Sequence, residues 1–168
     1  MSFESLTGGL SREQLEAHWM PFTANRQFKD NPRMIVSAEQ SHYITADGRR
    51  IYDGLSGLWC CGFGHNRPEI TEAVYKQMQS MDYSPAFQFG HPKAFELADR
   101  VAKMAPEGLD YVFFTNSGSE SADTSLKMAR AYWRQQGQPS KTKLIGRSKG
   151  YHGVNYGGIS VGGIAGNR

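Results

Sequence analysis

Residues 111–115, Tyr-Val-Phe-Phe-Thr, form a continuous apolar run that leads through Asn116-Ser117-Gly118-Ser119-Glu120 into a helix-compatible stretch. No other segment of the 168 residues restricts the fold so tightly. An apolar run bounded by Gly108 and Asn116-Ser117-Gly118 fits a strand buried on both faces, as in a parallel sheet. Ser119 to Gln135 reads as a long helix, stopped by Gly137 and Pro139. Lys143-Leu144-Ile145-Gly146 reads as a second short strand. Tyr111 to Gly146 is therefore strand–loop–helix–strand, a βαβ unit of the α/β class. One such unit cannot bury its own strand. Only Leu144-Ile145 and the Ile159 to Val161 stretch offer neighbours, so the chain reads as an incomplete α/β fold.

Upstream the texture differs. The segment to about Leu10 is polar, glycine-bearing and expected to be loose. Ser11, with Gln14 three residues on, carries a capping-box signature for a short helix that ends before Pro21. Ile35 to Ala38, Tyr43 to Thr45 and Arg50 to Tyr52 read as three short strands, with Asp47-Gly48 as the hairpin turn between the last two. Two amphipathic helices follow, from about Arg67 to Met81 and from Pro92 to Met104. The expected division is an N-terminal segment with helix and meander, 1–66, and the start of a larger domain, 67–168.

Composition excludes several classes. Nineteen basic residues against 16 acidic give a formal charge of +3. With the basic residues scattered, no footprint for nucleic acid emerges. No apolar stretch is long enough to span a membrane as a helix. The opening residues lack the basic and apolar regions of a secretory signal. The adjacent Cys60 and Cys61 read as buried reduced thiols, which points to the cytoplasm. His65 and His91 lack partners at ligand spacing, so no metal site is expected. Asp53 and Asp123 read as turn and helix-surface residues.

The chemistry concentrates where the apolar run hands over to the helix. A helix N-terminus exposes unsatisfied N–H groups at the positive end of its dipole. Gly118 permits close approach there, and Ser117 and Ser119 add hydroxyls. The pattern is neither a P-loop nor G-x-G-x-x-G. Two readings fit these residues equally: a serine-capped helix start, or a cradle for a phosphate monoester. Tyr151-His152-Gly153 follows the second strand, where α/β sheets bind ligands. There an aromatic ring can stack on a flat heterocycle, although a surface-loop aromatic also fits Tyr151. Together the two motifs describe a pocket for a phosphorylated aromatic ring.

These motifs resemble the cofactor motifs of class III, fold-type I, pyridoxal-phosphate aminotransferases. Trp19-Met20-Pro21-Phe22-Thr23, Asp47-Gly48-Arg49 and Tyr52-Asp53-Gly54 are similar to the same family. Gly57-Leu58-Trp59, Gly64-His65-Asn66 and Phe87-Gln88-Phe89-Gly90-His91-Pro92 are similar to its ω-amino acid:pyruvate (β-alanine:pyruvate) branch. The likeness runs from Leu15 to Arg168. It implies a PLP-transferase fold in which the N-terminal helix and antiparallel meander precede the start of a mainly parallel large-domain sheet. It also implies that pyridoxal 5'-phosphate is held by Ser117, Gly118 and Ser119, with Tyr151 stacked on the ring and His152 and Gly153 shaping that wall. Glu120 would be a nearby structural carboxylate, and a first-turn glutamate favoured by the dipole explains it as well. Phe22 and Trp59 would line the substrate pocket. Phe87 and Phe89 would reach the pocket of a neighbouring subunit in a homodimer or tetramer.

The resemblance equally implies what these residues omit. The family's Schiff-base lysine, its carboxylate at the pyridine nitrogen and its substrate-carboxylate arginine all lie downstream of the Tyr-His-Gly motif. No lysine here matches the catalytic motif, so no catalytic residue is expected within the chain. The expected activity is amino transfer from an ω-amino acid or amine to pyruvate, with this chain as the N-terminal part of the enzyme. The alternatives are a non-catalytic fragment serving at most in dimerisation or phosphate binding, or an enzyme of the 4-aminobutyrate, ornithine or diamine branch.

Overall fold

The computed structural model describes residues 3–167. They fall into two compact units, divided between residues 85 and 86. In the first, three short helices, α1 (Phe3–Thr7), α2 (Arg12–Glu16) and α3 (Asn25–Asp30), precede a three-stranded sheet and a longer helix, α4 (Pro68–Ser80). The expected loose N-terminus is instead helical from Phe3. Its Thr7 is buried and donates its hydroxyl to the Leu10 carbonyl at 2.7 Å, which closes the turn.

The capping box forms as expected. Ser11 Oγ accepts from Gln14 N at 3.2 Å, and Gln14 Oε1 accepts from Ser11 N at 2.8 Å. Both orphan donors are thereby satisfied by local chemistry. Helices α2 and α3 pack on Leu15 and Phe28, the buried apolar residues among those described. Lys29 is buried with them and donates Nζ to the Glu16 carbonyl at 2.9 Å and to its carboxylate at 3.2 Å. This pairing removes the penalty of an isolated buried ammonium.

The sheet has antiparallel order β1 (Ile35–Glu39), β2 (His42–Thr45), β3 (Arg50–Tyr52). Tyr43 faces Ala38 on one side and Ile51 on the other. The β2–β3 turn closes through Gly48 at φ +82°, with Gly48 N donating to the Thr45 carbonyl at 2.9 Å. After β3 the chain makes a left-handed helical turn. Ser56, Gly57, Leu58 and Trp59 have φ of 50, 59, 54 and 72°. It is closed by Trp59 N to the Leu55 carbonyl at 3.0 Å and Cys61 N to the Ser56 carbonyl at 2.9 Å. The turn presents Cys60 to solvent and leaves Cys61 half-buried, both as free thiols, so the expected burial of the pair does not occur.

The second unit holds α5 (Pro92–Met104), α6 (Gly118–Gln135), α7 (Tyr156–Val161) and a 3-10 turn at Ala165–Asn167. His91 caps α5, its Nδ1 accepting from Lys93 N at 3.0 Å. Neither expected parallel strand forms. Residues 111–115 and 143–146 run without ladder pairing to any described segment. Tyr111 is 98% exposed and Ile145 97% exposed. A strand needs hydrogen-bonding neighbours and covering faces before its side chains are buried, and the described residues supply neither. Ile159 to Val161, read as strand-like, belongs to α7. Apolar residues on α4 and α5 (Val74, Met78, Phe95, Leu97) are likewise exposed, so their amphipathic faces are uncovered.

Candidate functional site

Ser117 is the N-cap of α6, with extended backbone and Oγ accepting from Glu120 N at 3.1 Å. Glu120 turns back so that Oε2 accepts from Asn116 N at 2.8 Å. Thr115 donates Oγ1–H to the Ser117 carbonyl at 3.1 Å. These reciprocal bonds fix the loop at the helix start. The first intrahelical bond runs from Ser121 N to the Ser117 carbonyl at 3.0 Å. The N–H groups of Gly118 and Ser119 therefore have no acceptor among the described residues.

The Ser117 and Ser119 oxygens accept bonds and keep their hydroxyl protons available to donate. The space beside the Gly118 Cα is open, with no atom within 4 Å of where a Cβ would stand. Two free amides and two hydroxyls at the positive helix end suit a phosphate monoester dianion.

The segment carrying Tyr151, His152 and Gly153 docks on this same end of α6. Val154 N donates to Ser119 Oγ at 3.0 Å, and Gly158 N donates to Asp123 Oδ1 at 2.8 Å. Gly153 has φ +95°, and a Cβ there would lie 2.6 Å from the Ser119 Cα. Only glycine fits, because both the backbone conformation and the close approach exclude a side chain. Lys149 N to the Gly163 carbonyl at 3.1 Å and Gly163 N to the Gly150 carbonyl at 2.8 Å staple the far side of the loop. The void between residues 150–153 and α7 is only about 10 Å³, so this backbone is packed, while Tyr151 remains 55% exposed. A larger cleft of about 460 Å³ opens beside the 113–116 segment, with Asn116, Glu120, Asp123, Lys127 and Asn155 in its lining.

The two phosphate-type and ring-type motifs are thus adjacent through Ser119. Asp123 is not a plain surface residue, as expected from sequence, but the anchor for α7. Nothing local in the sequence marks it. The glycines at 157 and 158 were the available signal, since a Cβ on Gly157 would lie 2.8 Å from the Asp123 carboxylate.

The remaining site candidates are aromatic and exposed, Phe22 and Trp59 in the first unit and Phe87 and Phe89 in the second. Phe22 has φ 49° and is 86% exposed. Its turn is held by Asn25, whose side chain bonds both Met20 N and the Met20 carbonyl at 2.8 Å. Asn25 was missed from sequence, where α3 gave no periodic signal. Trp59 is 84% exposed on the left-handed turn. A non-glycine residue in that conformation costs about 1–2 kcal/mol, and such strain clusters at functional sites. Phe87 and Phe89 flank Gln88 at φ 63° and are also exposed.

A serine-capped helix start with a glycine-bearing aromatic loop docked on it narrows the class, and comparison with known proteins assigns it. Residues 23–166 match the family model for aminotransferase class-III, and the chain belongs to that family. Over 158 residues it is 62% identical to the β-alanine–pyruvate aminotransferase of Pseudomonas aeruginosa, covering 94% of this chain and 35% of that protein. Identity to the ω-amino acid–pyruvate aminotransferase of Pseudomonas putida is 58%, with the same coverage. The ω-transaminase of Pseudomonas jessenii in complex with PMP superposes with a TM-score of 0.89 at 30% identity, covering 95% of this chain and 36% of that one. The fold is therefore fold-type I, of which this chain spans about a third of the relatives' length.

Proposed function

We propose that this chain is the N-terminal part of an aminotransferase that moves an amino group from an ω-amino acid of the β-alanine type, or an amine, to pyruvate, using pyridoxal phosphate. The observation that carries the reading is the docking of the Tyr151-His152-Gly153 segment on the first turn of α6, through Val154 N and Ser119 Oγ at 3.0 Å. The 62% identity to a β-alanine–pyruvate aminotransferase supports the donor and acceptor classes.

Gly118 and Ser119 would hold the phosphate by their free N–H groups, and Ser117 and Ser119 by hydroxyl donors. Tyr151 would cover one face of the ring, with His152 and Gly153 shaping that wall. Glu120 keeps the loop in place by accepting from Asn116 N. When bound, the cofactor supplies an electron sink that labilises the C–H beside the donor's amino group. Phe22 and Trp59 line the donor pocket. Phe87 and Phe89 reach a second subunit of a homodimer. The lysine and the carboxylate that complete the chemistry come from other residues of the enzyme, which works in the cytoplasm. Among the described residues no helix is long and apolar enough to cross a membrane.

The test is the coding sequence past Arg168 and the protein it encodes. A continuation carrying the lysine, and alanine formation from β-alanine and pyruvate, supports the proposal. A continuation without it favours the non-catalytic fragment.

A further inference from the structure

The left-handed turn that carries Trp59 does not stand by its own hydrogen bonds alone. Asp53, at the exit of β3, turns its carboxylate into the loop. Oδ1 accepts from Leu55 N at 3.1 Å and Oδ2 from Gly57 N at 2.7 Å. The same Oδ2 meets His65 Nε2 at 2.8 Å, and the two side chains are 6% and 11% exposed. Tyr43 closes the other side, its ring 4.6 Å from that of His65.

This hub is tied to the sheet at both ends. Asp53 N donates to the Ser41 carbonyl at 2.8 Å. His65 N donates to the Gln40 carbonyl at 2.6 Å, and Gln40 N returns a bond to the His65 carbonyl at 3.1 Å. One buried carboxylate therefore links the β1–β2 corner, β3 and the loop's exit. It also satisfies two amides of a turn in which three non-glycine residues hold left-handed backbone. Such a conformation persists only where its surroundings over-determine it. A large, 84% exposed indole at the end of so constrained a turn is displayed rather than packed.

We propose that Asp53 and His65, with Tyr43 against them, are positioning residues for substrate selection: they hold the left-handed turn so that Trp59 presents a fixed wall to the amino donor. The proposal rests on the reading of Trp59 as a pocket residue. Asp53 acts through Trp59 and touches no substrate.

The discriminating experiment is a double-mutant cycle in the complete holoenzyme, with donor KM, pyruvate KM and kcat measured for each variant. Trp59→Ala alone raises donor KM. Asp53→Asn raises donor KM by about tenfold, with pyruvate KM unchanged and kcat within about twofold, since a displaced pocket wall weakens donor discrimination on that scale. In the Trp59→Ala background, Asp53→Asn adds nothing, because two groups acting through one contact are not additive. Should Asp53→Asn fail to fold, His65→Ala and His65→Gln carry the same cycle. The alanine raises donor KM, and the glutamine restores it by returning a hydrogen-bond donor to the carboxylate. Equal effects of Asp53→Asn, or of His65→Ala, in both backgrounds overturn the proposal, as does an unchanged donor KM while Trp59→Ala raises it. An unchanged donor KM in Trp59→Ala overturns the pocket reading itself, and the proposal with it.

Discussion

Gly153 concentrates the requirements of the site in one residue. Its φ of +95° and the 2.6 Å that would separate an added Cβ from the Ser119 Cα act together. Gly153→Ala must shift either the 151–154 backbone or the first turn of α6. The expected outcome is a loss of about 1–3 kcal/mol in stability, together with a weakened hold on pyridoxal phosphate, read by thermal unfolding and by cofactor titration of the complete enzyme. An alanine variant with wild-type melting and affinity contradicts this close packing. Ser117→Ala is milder. It removes the cap to Glu120 N at 3.1 Å, worth about 1 kcal/mol in a helix start. The Ser117 cap was legible in the sequence because capping is local chemistry, whereas the close approach of Gly153 to Ser119 is not local. Asp123 was not legible, since its partner Gly158 lies 35 residues away.

At the scale of elements, the sheet and its following turn respond to pH through identifiable carboxylates. Burial by itself would raise the Asp53 carboxyl. Hydrogen bonds from His65, the Gly57 and Leu55 amides and Tyr43 outweigh it and hold the group below the usual carboxylate range. Asp47 is held low by the Thr45 hydroxyl and by Arg49. Groups depressed in the folded state contribute stability that is complete above about pH 4, their unfolded value, and lost as pH falls through the lower folded values. Tyr43 moves the other way. Burial and the Asp53 carboxylate raise it, so its contribution is complete below about pH 10 and fades as pH rises further. In denaturant melts, Asp53→Asn is expected to blunt the acid limb. An acid limb unchanged by that substitution counts against the hub. The antiparallel strands and α4 to α6 were legible because their periodicity or turn chemistry is local. Helix α7 was misread because Ile-Ser-Val looks strand-like, while the bonds to Ser119 and Asp123 that seat it are non-local.

For the whole molecule, the uncovered apolar segments are decisive. Tyr111, Phe113 and Ile145 are at least two-thirds exposed, and the 111–115 and 143–146 segments offer unpaired backbone. Exposed strand-forming segments of this kind pair with whatever edge is available. The 168 residues expressed alone are expected to associate in size-exclusion chromatography. With pyridoxal phosphate they are expected to show no visible absorbance from a lysine-linked cofactor. A monomeric elution contradicts the first expectation, and such a band the second. The α/β class could be read from the pattern around Tyr111 to Gly146, but burial of that strand could not, because burial depends on partners and not on the run itself.

The docking of the 150–163 segment on α6 runs chiefly from main-chain donors to side-chain acceptors. Val154 contributes only its amide, so the identity of its side chain is free to drift. A saturation library across this region should therefore be lopsided: permissive at 154, and intolerant at 119, 123 and 153.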